Sequence, residues 1–142
     1  MDLGGIMSDK YKSEIFDKGM YGNTFWEYFE NGTLVFKYSK DSDLYLTWKR
    51  GEAKPVWLEK YRKAIRKIIF SEGIRYIGIH YYDIEVRLSE CQNLNEIVFP
   101  KSLQYIETED AFRNLSVTQM TIGVQVMGRW GDMFSGCQKL NN

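Results

Sequence analysis

Two stretches of this chain place apolar residues in the same five-point pattern. Residues 65–77 carry it first, and residues 94–106 repeat it at an offset of 29 residues (65 to 94). The spacing fits neither a continuous helix nor a simple alternating strand. A pattern repeated at one offset predicts stacked structural repeats, each burying its apolar points against the next. The matching pairs are Ile65 with Leu94, Ile68 with Ile97, Phe70 with Phe99, Ile74 with Leu103, and Ile77 with Ile106.

A weaker copy follows 23 residues later (94 to 117). Arg129 stands where this copy should carry an apolar residue, and Leu140 opens a further unit that remains incomplete. The six extra residues of the first interval lie around "HYYDIEVRLSE" at 80–90, which predicts a bulge or an extra strand there. Repeats beginning near 65, 94, 117 and 140 predict a short solenoid of about three turns. The aligned residues of this copy are Val117, Met120, Ile122 and Val126.

Within a repeat, the local sequence predicts a short strand followed by a sharp turn. Residues 97–99 alternate inward and outward, and Pro100 ends the strand because proline cannot donate to a ladder. Gly73 makes the equivalent turn in the previous unit. Phe112 and Phe134 are predicted to enter the core between strands.

The region before the repeats is predicted to cap them. Within residues 13–64, the Asn31-Gly32 dipeptide predicts a hairpin, and Pro55 opens an amphipathic helix over 55–65. Residues 1–12 lack periodicity and are predicted to be mobile. The fold class is therefore α+β and β-rich: a hairpin and helix cap, then repeats over 65–142, in one structural domain. The helical face predicted to pack on the first repeat comprises Trp57, Leu58, Tyr61, Ala64 and Ile65.

Charge and hydropathy restrict the partners. Lys and Arg together number 19, as do Asp and Glu, so a net charge of zero argues against nucleic-acid binding. No run of 18 apolar residues predicts a membrane span, and the N-terminus does not resemble a signal peptide. We expect a cytoplasmic protein as the sequence is written, or a surface or secreted one if it belongs to a longer chain.

Several motifs resemble one repeat family. The segments "KIIFSEGIRYIG" (67–78), "CQNLNEIVFPKSLQYI" (91–106), "AF" (111–112) and "MFSGCQKL" (133–140) are similar to BspA-like leucine-rich repeats of bacterial proteins. "NGTLVFKY" (31–38) and "PVWLEKYRKAIRKIIF" (55–70) look like the segment that precedes such arrays. The resemblance implies a solenoid that binds proteins or matrix components, often at a bacterial surface.

Three features depart from the family pattern. The second unit lacks the AF dipeptide, and Asn114 replaces the cysteine of the third. The array also ends at "QKLNN" without a polar cap, although solenoid ends normally carry one. Either the chain belongs to a longer one, or its last edge is covered by a partner or by a second copy. A homodimer through this end is therefore one predicted outcome.

Residues suited to catalysis or metal binding are sparse. His80 is the single histidine, and no partner near it in sequence points to catalysis. Cys91 and Cys137 occupy equivalent repeat positions, too far apart to pair, and are predicted to be small buried free thiols. The basic run at 60–67 is most simply a solvated helix face. We expect no catalytic residue, cofactor or metal.

The outward positions of the repeats are the candidate binding residues. Apolar and aromatic side chains that point to solvent are typical of binding surfaces, although cross-strand stabilisation of the sheet is the alternative explanation. The open last unit adds one residue to this set. The candidates are Ile69, Tyr76, Glu96, Val98, Gln104, Tyr105, Thr121 and Leu140.

Two functions remain open. The first is a non-enzymatic protein-binding module, similar to bacterial surface or adhesive repeat proteins. The second is a small cytoplasmic inhibitor, encoded by a phage or mobile element, that blocks a defence nuclease or other complex. The inhibitor would use the open end or the 80–90 segment as its contact.

Overall fold

The structure is a computed structural model that describes residues 14–22, 24–38, 43–80, 82–122, 127–128 and 134–137. It is rich in β-strand and contains little helix, as the sequence predicts. The elements in chain order are β1 (Ile15–Tyr21), β2 (Thr24–Phe29), β3 (Thr33–Tyr38), β4 (Asp43–Tyr45), β5 (Thr47–Trp48), α1 (Val56–Tyr61), β6 (Lys67–Phe70), β7 (Tyr76–Gly78), β8 (Ile84–Glu85), a 3-10 helix (Leu88–Glu90), β9 (Glu96–Val98), β10 (Tyr105–Ile106), β11 (Gln119–Thr121) and β12 (Met127–Gly128).

Most strands belong to two sheets. The six-stranded sheet has the order β1-β2-β3-β6-β9-β11, and the four-stranded sheet has the order β12-β10-β7-β4. In the first, β1, β2 and β3 are antiparallel neighbours, whereas β3, β6, β9 and β11 run parallel. Every pair in the second is parallel. The chain therefore passes repeatedly from one sheet to the other in the same direction.

The strand registers reproduce the sequence repeats. Ile68 pairs with Ile97, which pairs with Met120, so the offsets of 29 and 23 residues are hydrogen-bonding registers. In the smaller sheet Ile77 pairs with Ile106, but Ile106 pairs with Gly128, so the second offset there is 22 (106 to 128) and not the predicted 23. The parallel stacking also includes β3 and β4, one layer before residue 65. That layer pairs with the next at offsets of 34 (33 to 67) and 33 (43 to 76), which the repeat pattern does not contain.

The core lies between the two sheets and includes a column of phenylalanines. Phe36, Phe70 and Phe99 stack from layer to layer, with ring centroids 5.3 Å and 5.2 Å apart. Phe112 is fully buried, as predicted, and packs edge-on against Phe99 at 5.5 Å. Phe134, also predicted to enter the core, is partly buried beside Phe112. The parallel registers place large rings at one position in successive layers, so the rings pack on one another in the core.

The N-terminal region contains the predicted hairpin and a shorter helix. Residues 30–32 connect β2 to β3, while α1 ends at Tyr61 and not at 65. The helix ends early because Ile65 turns into the core and Arg66 N–H donates to Gly32 O at 2.8 Å. Ala64 is exposed, so its predicted place on the buried helical face is wrong. The sequence pattern also did not predict β1.

The segment at 80–90 forms the predicted extra strand. β8 pairs antiparallel with β5, outside the two larger sheets. The Glu85 carboxylate accepts three successive backbone N–H groups, those of Glu109, Asp110 and Ala111, at 2.8–2.9 Å. Charge-assisted bonds of this kind are among the stronger ones in proteins. They fix the turn that carries Phe112 into the core.

Parts of several predictions lie outside the described residues. These are the mobile N-terminus at 1–12, the repeat positions Val126 and Arg129, and the open end at Leu140.

The phenylalanine column predicts a large loss of stability for Phe99→Ala. Removing a ring that contacts Phe70 and Phe112 leaves a cavity, and we expect a loss of about 3–5 kcal/mol in the free energy of unfolding. Val56→Ala, at an exposed apolar position, serves as control and should cost less than about 1 kcal/mol. Urea unfolding measures both. Equal losses would show that the column is not the centre of the core.

The hairpin turn predicts a difference between two glycines. Gly32 and Gly22 both have positive φ, 87° and 60°, but a Cβ at Gly32 would lie 2.8 Å from Ala64 O, whereas Gly22 faces open space. Gly22→Ala should cost about 1 kcal/mol from backbone strain alone. Gly32→Ala should cost at least about 2 kcal/mol because it adds the collision. Thermal unfolding of the two variants tests this order, and a reversed order would contradict it.

Candidate functional site

The structure places the predicted binding residues on two different sheet faces. Four of them lie on the outer face of the six-stranded sheet, and three lie on or beside the outer face of the four-stranded sheet. The shared core separates the two faces, so the candidates do not form one site. The first group is Ile69, Glu96, Val98 and Thr121; the second is Tyr76, Gln104 and Tyr105.

On the six-stranded sheet, the apolar candidates mainly pack against one another. Val35, Ile69 and Val98 form one cross-strand row that ends at Thr121, and the three apolar members are half-buried. An ion pair between Glu96 and Lys67, at 3.7 Å, lies one row away. Cross-strand β-branched pairs and exposed ion pairs of this kind stabilise a sheet modestly. This face supports the structural explanation of these residues.

The four-stranded sheet carries a strip of aromatic rings on its outer face. Tyr76 and Tyr105 stack with centroids 5.9 Å apart and an interplanar angle of 5°. Tyr45 meets Tyr76 edge-on at 6.0 Å, and His80 stacks on Tyr45 at 3.9 Å. We call these four residues the aromatic strip. Tyr105 is 36% exposed and His80 is exposed, so the strip presents ring surface to solvent.

Strand alternation and one glycine create the strip. Leu44 and Ile77 are fully buried, so their neighbours Tyr45 and Tyr76 point outward. Gly78 pairs with Tyr45, and a Cβ at Gly78 would collide with the Tyr76 ring. The absence of a side chain at Gly78 therefore lets the Tyr76 ring lie against the sheet between its aromatic neighbours.

Acidic groups surround Tyr76. Its hydroxyl donates to Glu107 Oε1 at 3.0 Å. Burial raises the pKa of Tyr76 well above its usual value of 10.0, and the bond to Glu107 and the nearby carboxylate of Asp43 raise this pKa further. The phenol therefore stays protonated at physiological pH and remains a hydrogen-bond donor.

A groove of about 560 Å³ with several charged lining residues lies beside the strip, between Trp48, Asp83 and the turn at 109–110. Several of its acidic side chains already have partners within the protein. Glu90 pairs with Lys54 at 3.3 Å, and Asp110 pairs with Arg87 at 3.6 Å. In the described part of the chain, no group of three His, Cys, Asp or Glu side chains could hold a metal ion.

Both cysteines are free, as predicted, but their burial differs. Cys91 is buried, and burial raises the pKa of its thiol to about 12, so it stays protonated and unreactive at neutral pH. Cys137 is only half-buried, which differs from the predicted buried position, and its thiol donates to Phe112 O at 3.1 Å.

Two residues of the strip were not among the candidates. The sequence predicts no role for His80, and Tyr45 lies in β4, outside the repeated pattern. The alternation of "DLYL" at 43–46 places Tyr45 on the outer face, so a signal was present. What the sequence lacked was the register of β4 on β7.

Comparisons with known proteins add no assignment: no protein-family model matches the chain, and the searches of curated proteins and of solved structures give no match. Across the described residues, no helix is both long enough and apolar enough to cross a bilayer.

The raised pKa of Tyr76 predicts how stability changes in alkaline solution. A group whose pKa is higher in the folded than in the unfolded state contributes stability below the unfolded pKa, near 10, and loses it as the pH rises. Relative to pH 8, the free energy of unfolding of the wild type should therefore fall more than that of Tyr76→Phe between pH 9 and pH 11. Urea unfolding at each pH measures both proteins. Both proteins contain the other tyrosines, so the contributions of these tyrosines to the pH dependence cancel in the comparison. Equal losses would mean that Tyr76 ionises alike in both states.

Proposed function

We propose that this chain is a short BspA-like leucine-rich-repeat solenoid that acts as a non-enzymatic protein-binding module through the aromatic strip. The observation that carries the proposal is the in-register stacking of Tyr76 and Tyr105 on an outward sheet face, extended by Tyr45 and His80.

The solenoid part of the proposal rests on the parallel registers. The pairs β6–β9, β9–β11 and β7–β10 follow the offsets of the sequence repeats, β10 and β12 pair one residue short of the expected 23 (105 to 127), and the chain alternates between the sheets in one direction. A coil of short parallel strands has this connectivity. The four stacked layers would then be successive turns of the coil, with β1 and β2 as the N-terminal cap.

The binding part rests on the chemistry of the strip. Tyrosine combines a large rigid apolar ring with a polar tip, and it is enriched at the energetic centres of protein interfaces. Each ring here is held by its neighbours, so little side-chain entropy is lost when a partner covers it. The carboxylates of Asp43 and Glu107 border the rings, which favours a partner surface with basic or hydrogen-bond-donating groups.

One observation favours the inhibitor as a second candidate. Tyr82 is 83% exposed and lies in the 80–90 segment, which the sequence singles out as a contact. Tyr82 and the strip residue His80 lie close together in the chain, so both functions would use one continuous region. The inhibitor would act in the cytoplasm, whereas the module would also suit a cell-surface chain.

Binding by the aromatic strip predicts that a charge at Tyr105 weakens partner binding. The wild type, Tyr105→Lys and the control Thr121→Lys would be immobilised and exposed to extract from the source organism, with the retained proteins identified by mass spectrometry. The leading partner would then be produced pure and its Kd measured by calorimetry. Thr121 is an exposed sheet position on the opposite face, so it adds the same charge elsewhere.

We expect Tyr105→Lys to weaken binding at least about tenfold, because it places a hydrated charge at the centre of the contact, while Thr121→Lys binds like the wild type. A partner that is lost with Thr121→Lys but kept by Tyr105→Lys would move the site to the six-stranded sheet and reject the strip.

A further inference from the structure

The first strand of the six-stranded sheet has an open edge beside an apolar groove. β1 pairs with β2, and no other described strand pairs with it. Phe16 is 62% exposed, Met20 is 58% exposed, and Val56 across the groove is 48% exposed. An exposed apolar edge strand invites pairing with another chain.

The backbone groups at this edge can be assigned. Tyr21 and Thr24 are the last cross-strand pair before the β1–β2 connection, and the closing pair of such a tight turn is hydrogen-bonded. Alternate residues therefore direct N–H and C=O away from β2, and these are Lys18 and Met20. In agreement, Lys18 N–H donates to the Asp17 carboxylate at 2.8 Å and not to β2. Met20 carries the first N–H at this edge that an added strand can use.

The groove of about 360 Å³ lies between β1 and the segment 52–56. Gly19 is central to it, because a Cβ at this position would lie 2.8 Å from the Trp26 ring. With no side chain at Gly19, a large side chain on an added strand could lie over Trp26. Met20 and Val56 are among the residues that line the groove.

The charges at the edge select the occupant. The Asp17 carboxylate accepts from Lys18 N–H and from the Tyr61 hydroxyl, at 2.6 Å. Of the other charges that line the groove, Glu52 accepts from the Tyr21 hydroxyl and Lys54 pairs with Glu90. The Lys18 ammonium is therefore the charge that a new strand meets. A second copy fits poorly. If two copies of β1 paired antiparallel about a two-fold axis at Asp17 or Lys18, identical charges would lie opposite each other. An axis at Gly19 would leave few residues of the two strands paired.

We propose that the free edge of β1 binds an extended peptide segment of another protein, which adds as an antiparallel strand with an acidic residue opposite Lys18 and a large apolar residue opposite Gly19. This is recognition by β-strand addition: backbone bonds supply affinity and alternate side chains supply specificity. The β1 edge shares no residue with the aromatic strip, so a test of this proposal does not test the proposed function.

The sequence of β2 provides a probe. On the opposite edge of β1, β2 places Glu27 opposite Lys18, Trp26 opposite Gly19 and Phe25 opposite Met20. A fluorescein-labelled peptide that carries the β2 sequence TFWEYF between glycine-serine tails offers the same side chains to the free edge. Fluorescence anisotropy of the peptide titrated with the full chain measures binding.

Two protein variants separate the backbone contribution from the side chain. Met20→Ala removes the side chain alone, and Met20→Pro also removes the outward N–H, which an edge strand tolerates. We expect Met20→Pro to bind roughly tenfold more weakly than Met20→Ala. Circular dichroism and melting temperature confirm that both remain folded. Equal binding by the two variants would reject strand addition.

A charge exchange tests the register. Lys18→Glu should weaken binding of the probe several-fold, and a probe with lysine in place of its glutamate should bind Lys18→Glu better than the wild type. If the exchanged pair does not restore binding, the proposed register is wrong.

Light scattering of the wild type without peptide tests whether a second copy occupies the edge. A dimer that Met20→Pro dissociates would identify a second copy as the occupant and reject the proposal. A lack of saturable binding of the peptide would also reject it.

Discussion

In-register parallel pairing of short strands is the constraint on which the rest of this structure depends. Because β3, β6, β9 and β11 lie side by side without a shift, one inward position per layer builds one continuous column. Leu34, Ile68, Ile97 and Met120 fill one column, and phenylalanine rings form another. A shift of one residue would reverse every side chain between core and solvent, so the register and the core specify each other. The same rule acts outside the core, where it aligns Tyr76 with Tyr105.

The two proposed contact surfaces differ in how they recognise a partner. The aromatic strip is a preformed set of side chains on a closed sheet face, and it would bind a surface that is already folded. The β1 edge offers backbone groups and would order an extended segment as it binds, at an entropic cost that weakens affinity for the area buried. The first arrangement suits a persistent complex, and the second suits a short, exchangeable motif.

The sequence predicted the repeated part of the fold well because repetition multiplies a weak signal. Five apolar positions at one offset were enough to anticipate the pairing of Ile68 with Ile97 and of Tyr76 with Tyr105. The layer formed by β3 and β4 was missed because its connection is longer, so its residues match no repeat position. Without that layer, Tyr45 could not be placed beside Tyr76. The edge groove was beyond sequence reasoning altogether, since it depends on where the segment 52–56 crosses β1.

The three backbone bonds of Glu85 give the 80–90 segment a different character from that of a surface insertion. Through this carboxylate, β8 is joined to the turn that carries Phe112, and through β5 it is joined to the chain that leads into α1. An insertion in a repeat protein is normally dispensable because it contacts only itself. Here the inserted segment is a brace between the first and third layers, so its removal would disconnect parts of the protein that are distant in the chain.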